Sequence, residues 1–190
     1  MTEAESQLRV GIVMGSDSDL DTMRHVGRAL TGLGLNSTTD YEERVVSAHR
    51  TPDWMDQYFE EAEGRGLKVI VAGAGGSAHL PGMGASKTVL PVIGVAVNKN
   101  PDVMNRALGS MIGMPEGKPL AVFQGEAGAF NAGLFAARIL AVHNPILRES
   151  LVAYDKALAS GVLSKDRSLQ QLGAEAYIAA TRPPLAGPMR

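Results

Sequence analysis

Short apolar runs alternate with longer amphipathic stretches along this chain. Arg9-Val10-Gly11-Ile12-Val13-Met14 is an apolar run ending at a glycine, the pattern of a buried strand. Between Asp19 and Leu35, Leu20, Met23, Val26, Leu30 and Leu33 recur at helical spacing, with Gly34 placed to end the helix. A second strand ends at Val45-Val46, and Thr51-Pro52 then reads as an N-cap followed by proline at the first helical position. Lys68 to Ala72 is a third strand, leading to a short helix over Leu80 to Thr88. Val92 to Ala96 and Pro119 to Phe123 are the fourth and fifth strands, with a weakly patterned helix over 100–113 between them.

Strands alternating with helices imply a parallel sheet whose right-handed crossovers put helices on both faces. The expected architecture is a three-layer α/β/α sandwich around a five-stranded sheet in the order 2-1-3-4-5. Small residues dominate Gly125 to Val142, allowing close packing against the sheet or against another subunit. A final helix over Pro145 to Ser160 is followed by an amphipathic tail through Ala180. Residues 1–160 thus read as one α/β domain and 161–190 as a helical extension, with a neighbouring subunit as one place for it to pack.

Composition narrows the functional classes. A chain of 190 residues with a formal net charge of −2 has no electrostatic footprint for nucleic acid or an anionic membrane. An anionic ligand must therefore be held by a few aimed groups. With no cysteine, disulfides, thiolate nucleophiles and Cys-based zinc sites are excluded. The polar N-terminus and the lack of a long apolar run suggest a cytoplasmic protein.

Candidate chemistry lies in three loops, each leaving a strand and entering a helix, so all three belong to the ligand-binding edge of such a sheet. The first, Gly15-Ser16-Asp17-Ser18-Asp19, offers backbone N–H groups at a helix start, where the dipole favours an anion. Ser16 and Ser18 add hydroxyls, and Asp19 suits ribose hydroxyls; the bland alternative is that Ser18 or Asp19 caps the helix. The second, Ser47-Ala48-His49-Arg50-Thr51-Pro52, pairs the planar donor fork of arginine with a histidine, the side chain suited to proton transfer near neutrality. Solvated surface is its alternative. The third, Gly73-Ala74-Gly75-Gly76-Ser77-Ala78-His79, lets backbone approach a ligand, or else is a tight turn with a core histidine. It lacks the glycine spacing of a dinucleotide fingerprint.

Gly113 to Pro119 only superficially resembles a P-loop, being one residue short and carrying Pro119 where magnesium would need a hydroxyl. The four histidines do not form a metal motif, and His25 and His143 fall in expected helices.

Taken together, Met14-Gly15-Ser16-Asp17-Ser18-Asp19, Val46 to Pro52 and Ala72 to Met83 closely resemble the N5-carboxyaminoimidazole ribonucleotide mutases, class I of the aminoimidazole ribonucleotide carboxylase/mutase family. Gly113 to Gly117 and Asn131 to Leu134 extend the likeness to about residue 145. The resemblance implies a flavodoxin-like fold, a homo-octamer, no metal and no organic cofactor. It implies an isomerase of purine biosynthesis that moves a carboxylate from the exocyclic nitrogen of an aminoimidazole ribonucleotide to ring carbon C4 through trapped CO2. On the matching positions His49 becomes the general acid/base, and Ser16, Asp19, Ser47 and Arg50, with Gly15 and Ser18, the ribose-phosphate site. Ala74, Gly75, Gly76, His79 and Leu80 become the wall around base and CO2.

A related branch that uses free CO2 carries lysine at the position of Arg50, which places this chain on the mutase side. Two segments depart from the family pattern. Met104-Asn105-Arg106-Ala107-Leu108 stands where the pattern has Gly-x-Asp-Ser-Leu, with Gly113 replacing a glutamine, and the turn at Ser37 to Asp40 is longer. A carboxylase or decarboxylase of another azole ribonucleotide, or a non-catalytic nucleotide-binding module, are the alternative readings.

Overall fold

The computed structural model describes residues 9–97 and 100–182. The chain divides into two compact units, Met1–Arg148 and Glu149–Arg190. The first holds five parallel strands: β1 (Val10–Met14), β2 (Tyr41–Val45), β3 (Val69–Ala74), β4 (Val92–Ala96) and β5 (Ala121–Gln124). Their order is β2-β1-β3-β4-β5, the order expected. Every residue of β1, β3 and β4 is buried, so these strands read as unbroken apolar runs. Edge strand β2 reads Tyr-Glu-Glu-Arg-Val and is polar between Tyr41 and Val45.

Helices α1 (Leu20–Gly32) and α5 (Gly125–Leu140) pack together on one face of the sheet. On the other lie α2 (Pro52–Glu61), α3 (His79–Ala85) and α4 (Pro101–Ile112). There Met55, Tyr58, Phe59, Ile70, Ala72, Leu80 and Met111 form a continuous core. The small residues of α5 serve the sheet and, beyond the two alternatives in the sequence pattern, α1. A Cβ at Gly133 would stand 2.7 Å from the Val26 carbonyl oxygen and 2.8 Å from the Ala29 Cβ.

Several boundaries differ from the pattern. β3 runs two residues further because Gly73 and Ala74 stay paired with Val95 and Ala96. β5 begins after Pro119, which has no N–H for the ladder. His143 follows α5 in a turn rather than lying in a helix. Helix α6 (Pro145–Leu172) continues twelve residues past Ser160. The single Gly161 is outweighed by strong helix formers on either side, and the helix ends only at Gly173, where φ is 73°. A last helix, α7, spans Ala174–Thr181.

On β2, Glu42 accepts hydrogen bonds from Arg65 at 2.7 Å, the Tyr58 hydroxyl at 3.0 Å and Arg44 at 3.3 Å. The Arg65 guanidinium also lies 4.7 Å above the Tyr58 ring. Burial alone would raise the Glu42 pKa, but these donors and the Arg65 charge hold it below the ordinary value of 4.5. Burial, with Glu42 beside it, pushes the Tyr58 hydroxyl well above its ordinary value, so it remains a neutral donor.

Two stability tests arise here. Gly133→Ala forces α1 and α5 apart and should cost about 1–3 kcal/mol in urea unfolding. Gly109→Ala, inside α4 with nothing within 4 Å of its added methyl, should instead gain about 0.5–1 kcal/mol. Equal effects at the two sites would contradict the packing described. Because the Glu42 pKa is lowered by folding, its contribution is present above 4.5 and is lost as pH falls toward the folded value. Glu42→Gln should therefore be less stable than the parent near neutral pH, with the gap narrowing in denaturation series taken below that value.

Candidate functional site

Register brings the three loops to one place. Met14 pairs with Val45 on one side and Gly73 on the other, so β1, β2 and β3 approach the edge side by side. Two hydrogen bonds carry the ladder into the loops: Val46 N–H to the Met14 carbonyl at 2.8 Å, and Gly15 N–H to the Gly73 carbonyl at 3.2 Å.

The first loop folds on itself through a capping box. Ser16 Oγ accepts from the Ser18 N–H at 3.4 Å, while Asp19 Oδ2 accepts from the Ser16 N–H at 3.2 Å. A single 3-10 turn, Asp17–Asp19, then runs into α1. In the second loop Arg50 donates from its backbone N–H and from Nε to Ser47 Oγ, at 3.3 and 3.4 Å. Its Nη2 reaches the Gly15 carbonyl at 3.1 Å, tying the second loop to the first. The third loop turns at Gly76, whose φ of 64° favours glycine, and enters α3 at His79. His49 Nε2 and His79 Nδ1 stand 2.9 Å apart, with the rings edge to face.

Between the loops is a cavity of about 240 Å³. Gly15, Ser16, Asp19, Ser47, His49, Arg50, Ala74, Gly75, His79 and Leu80 line it, as the loop pattern leads one to expect. Ser18 and Gly76 do not. The Ser18 hydroxyl instead donates to Ser16 Oγ at 3.0 Å, and Gly76 serves the turn. Ala48 and Ala78 also line the cavity and had no signal of their own: their methyl groups carry no chemistry, and only position puts them there.

Charge in the cavity is local. Arg50 is its one Lys or Arg side chain among the described residues. Burial pushes the Asp19 carboxyl above its ordinary value of 3.8, against the N–H groups of Ser16 and Gly15 and the nearby Arg50 charge. Asp19 is thus engaged with its own loop and also faces the cavity. Arg50 N–H and Nε–H both point at Ser47 Oγ, so that oxygen's two acceptor positions are filled and its proton is left for a ligand. The Ser16 hydroxyl donates to Asp17 Oδ1 at 3.1 Å, so the edge presents a guanidinium and the Ser47 hydroxyl as donors suited to a phosphate, next to two imidazoles.

The P-loop-like segment lies elsewhere: Gly113 ends α4, and Lys118 donates to the Ser86 carbonyl at 3.5 Å. His25 lies against α5, its Nε2 3.6 Å from Glu126. Among the described residues no cluster of three or more His, Cys, Asp or Glu is placed to hold a metal ion. The departing segment forms an ordinary helix, α4, capped by Asn100 and buried through Ala107 and Met111. None of its residues lines the cavity, and Asn98 and Lys99 lie outside the described residues.

Comparison with known proteins bears on the family and the fold. The N5-carboxyaminoimidazole ribonucleotide mutase of Pseudomonas aeruginosa is 52% identical over 143 residues, covering 75% of this chain and 85% of that protein. The protein of the same name from Thermotoga maritima is 46% identical over 170 residues, or 90% of this chain and 96% of that one. Among solved structures, Treponema denticola PurE superposes with a TM-score of 0.75 at 25% identity, covering 84% of this chain and 97% of that chain. The AIR carboxylase family model matches residues 9–160, a span that takes in the whole sheet and all three loops. With that match and relatives of this similarity, the chain belongs to the AIR carboxylase family.

Proposed function

We propose that this chain is an isomerase of purine biosynthesis, converting N5-carboxyaminoimidazole ribonucleotide to 4-carboxy-5-aminoimidazole ribonucleotide. The observation that carries the reading is the convergence of His49, Arg50, Ser47, Ser16 and Asp19 on one cavity beside the glycine-rich third loop. The names borne by relatives at 46–52% identity support it.

Arg50 and Ser47 hold the phosphate through the guanidinium and the hydroxyl donor, with Ser16 in the same cavity, while Asp19 takes ribose hydroxyls. The backbone of Gly15, with Ser18 behind Ser16, shapes that subsite. Ala74, Gly75, His79 and Leu80, with Gly76 forming the turn, wall the planar ring and CO2. Protonated His49 gives its proton to the exocyclic nitrogen as the nitrogen–carboxylate bond breaks, releasing CO2 beside neutral aminoimidazole ribonucleotide. Carbon C4 then attacks the CO2 carbon, and the proton lost from C4 returns to His49. Atoms balance over the cycle, and His49 ends as it began. Holding CO2 against C4 gives recombination a high effective molarity, so this scheme calls for no metal or organic cofactor.

We further infer a cytoplasmic homo-octamer, with 1–160 as the catalytic domain and the tail from 161 packing on a neighbouring subunit. Val162, Leu163, Leu169 and Leu172 are exposed along α6, an apolar surface that a subunit contact would cover. Among the described residues no helix is long and apolar enough to cross a membrane.

His49→Asn should lose at least about 10²-fold in turnover, the usual scale of a lost acid/base, while still binding aminoimidazole ribonucleotide in calorimetry. Unimpaired turnover would remove His49 from the mechanism. The parent should form the C4-carboxylated product from the N5-carboxy substrate and far less from aminoimidazole ribonucleotide with bicarbonate. The reverse preference would favour a carboxylase, and no product from either would leave a binding module. Light scattering on the eluted protein should return about eight times the 20.0 kDa chain mass; a monomer would refute the assembly.

A further inference from the structure

Thr51 occupies the N-cap position of α2, where a threonine hydroxyl ordinarily accepts from the N–H of the second or third helical residue. It makes no such bond. Its side chain instead turns back four residues to Ser47. The Ser47 N–H donates to Thr51 Oγ1 at 3.1 Å, and Thr51 Oγ1 donates to the Ser47 carbonyl, also at 3.1 Å. The Thr51 N–H adds a third bond to that carbonyl at 3.0 Å. Both backbone polar groups of Ser47 are thus committed to Thr51, and the ring so closed contains Ala48, His49 and Arg50.

We propose that Thr51 is a positioning residue, its hydroxyl clamping Ser47 so that His49 and Arg50 stand where the cavity needs them. The proposal rests on the carboxylate-transfer reading above. Thr51 does not line the cavity, so it acts only through the loop. The consequences run through Ser47. Once its backbone is fixed, Ser47 Oγ is fixed as the acceptor for Arg50 N–H and Nε–H, and the guanidinium is aimed with Nη2 on the Gly15 carbonyl. Half of the clamp is lost if the residue at 51 cannot donate, and the Ser47 N–H loses its partner if it cannot accept. A helix cap needs only an acceptor, whereas this arrangement uses both capacities of one hydroxyl.

Thr51→Val keeps shape and β-branching and removes only the hydroxyl, whereas Thr51→Ser keeps the hydroxyl and removes the methyl. Kinetics of product formation from N5-carboxyaminoimidazole ribonucleotide should show kcat/KM falling about 10- to 100-fold in Thr51→Val, the scale expected of a misplaced site. The loss should appear both as lower kcat, from His49, and as higher KM, from Arg50 and Ser47. The variant should melt with the parent, and Thr51→Ser should recover most of the loss. Parent-like kinetics in Thr51→Val, failure of Thr51→Ser to recover, or a loss that tracks a lower melting temperature would each overturn the clamp. If the parent forms no product, the functional reading fails separately. Affinity for aminoimidazole ribonucleotide then decides: weaker binding by Thr51→Val supports the clamp and unchanged binding overturns it.

Discussion

The site depends on where one strand ends. β1 lies between β2 and β3, and Met14 is level with Val45 and Gly73, so three strands stop together and their loops face one another. A slip of one residue would put a side chain where Gly11 lies against the Tyr58 hydroxyl and Leu67, leaving it no room. The same requirement that fills the core therefore fixes the alignment of the loops. Arg50 bonding to the Gly15 carbonyl across 35 residues of sequence is possible only because of that alignment.

Electrostatics in this chain are arranged over a few ångströms rather than over the whole surface. The formal charge is −2, and within the cavity Arg50 is the one cationic side chain among the described residues. Asp19 stands in the same cavity without cancelling it. It is held by backbone N–H groups of its own loop, and burial raises its pKa. A carboxylate satisfied in this way fixes the turn of its own loop as well as opposing an anion. The capping box is thus both the start of a helix and part of the binding wall.

The fold was largely legible because buried parallel strands leave continuous apolar runs; β1 and β4 could be placed to the residue or within one. Misplacements occurred where side chains say little. Gly73 and Ala74 read as loop, yet their pairing with β4 extends β3 through them. The final helix reads as ending at Ser160, yet the lone Gly161 beyond it costs a helix only about 1 kcal/mol, and α6 continues. In the site, charged and hydroxylic residues announced themselves. Ala48 and Ala78 did not, since lining a cavity with a methyl group leaves no trace in sequence. The bond between Arg50 and Gly15 was likewise invisible, because a carbonyl oxygen has the same identity in every residue.

The segment that departs most from the family pattern changes the frame rather than the cavity. Met104 and Leu108 pack against the core that holds Ala107 and Met111, and Asn100 caps the helix through the N–H groups of Asp102 and Val103. These are requirements of a helix covering β4 and β5, which many sequences meet. The residues facing the cavity come from the ends of β1, β2 and β3, whose loops keep the family motifs. A helix can drift in sequence while its apolar face still covers the sheet, whereas a loop that presents a guanidinium, a hydroxyl and an imidazole at once has far fewer alternatives. A departure in α4 beside loops that keep their resemblance therefore fits a frame freer to vary than the cavity it supports.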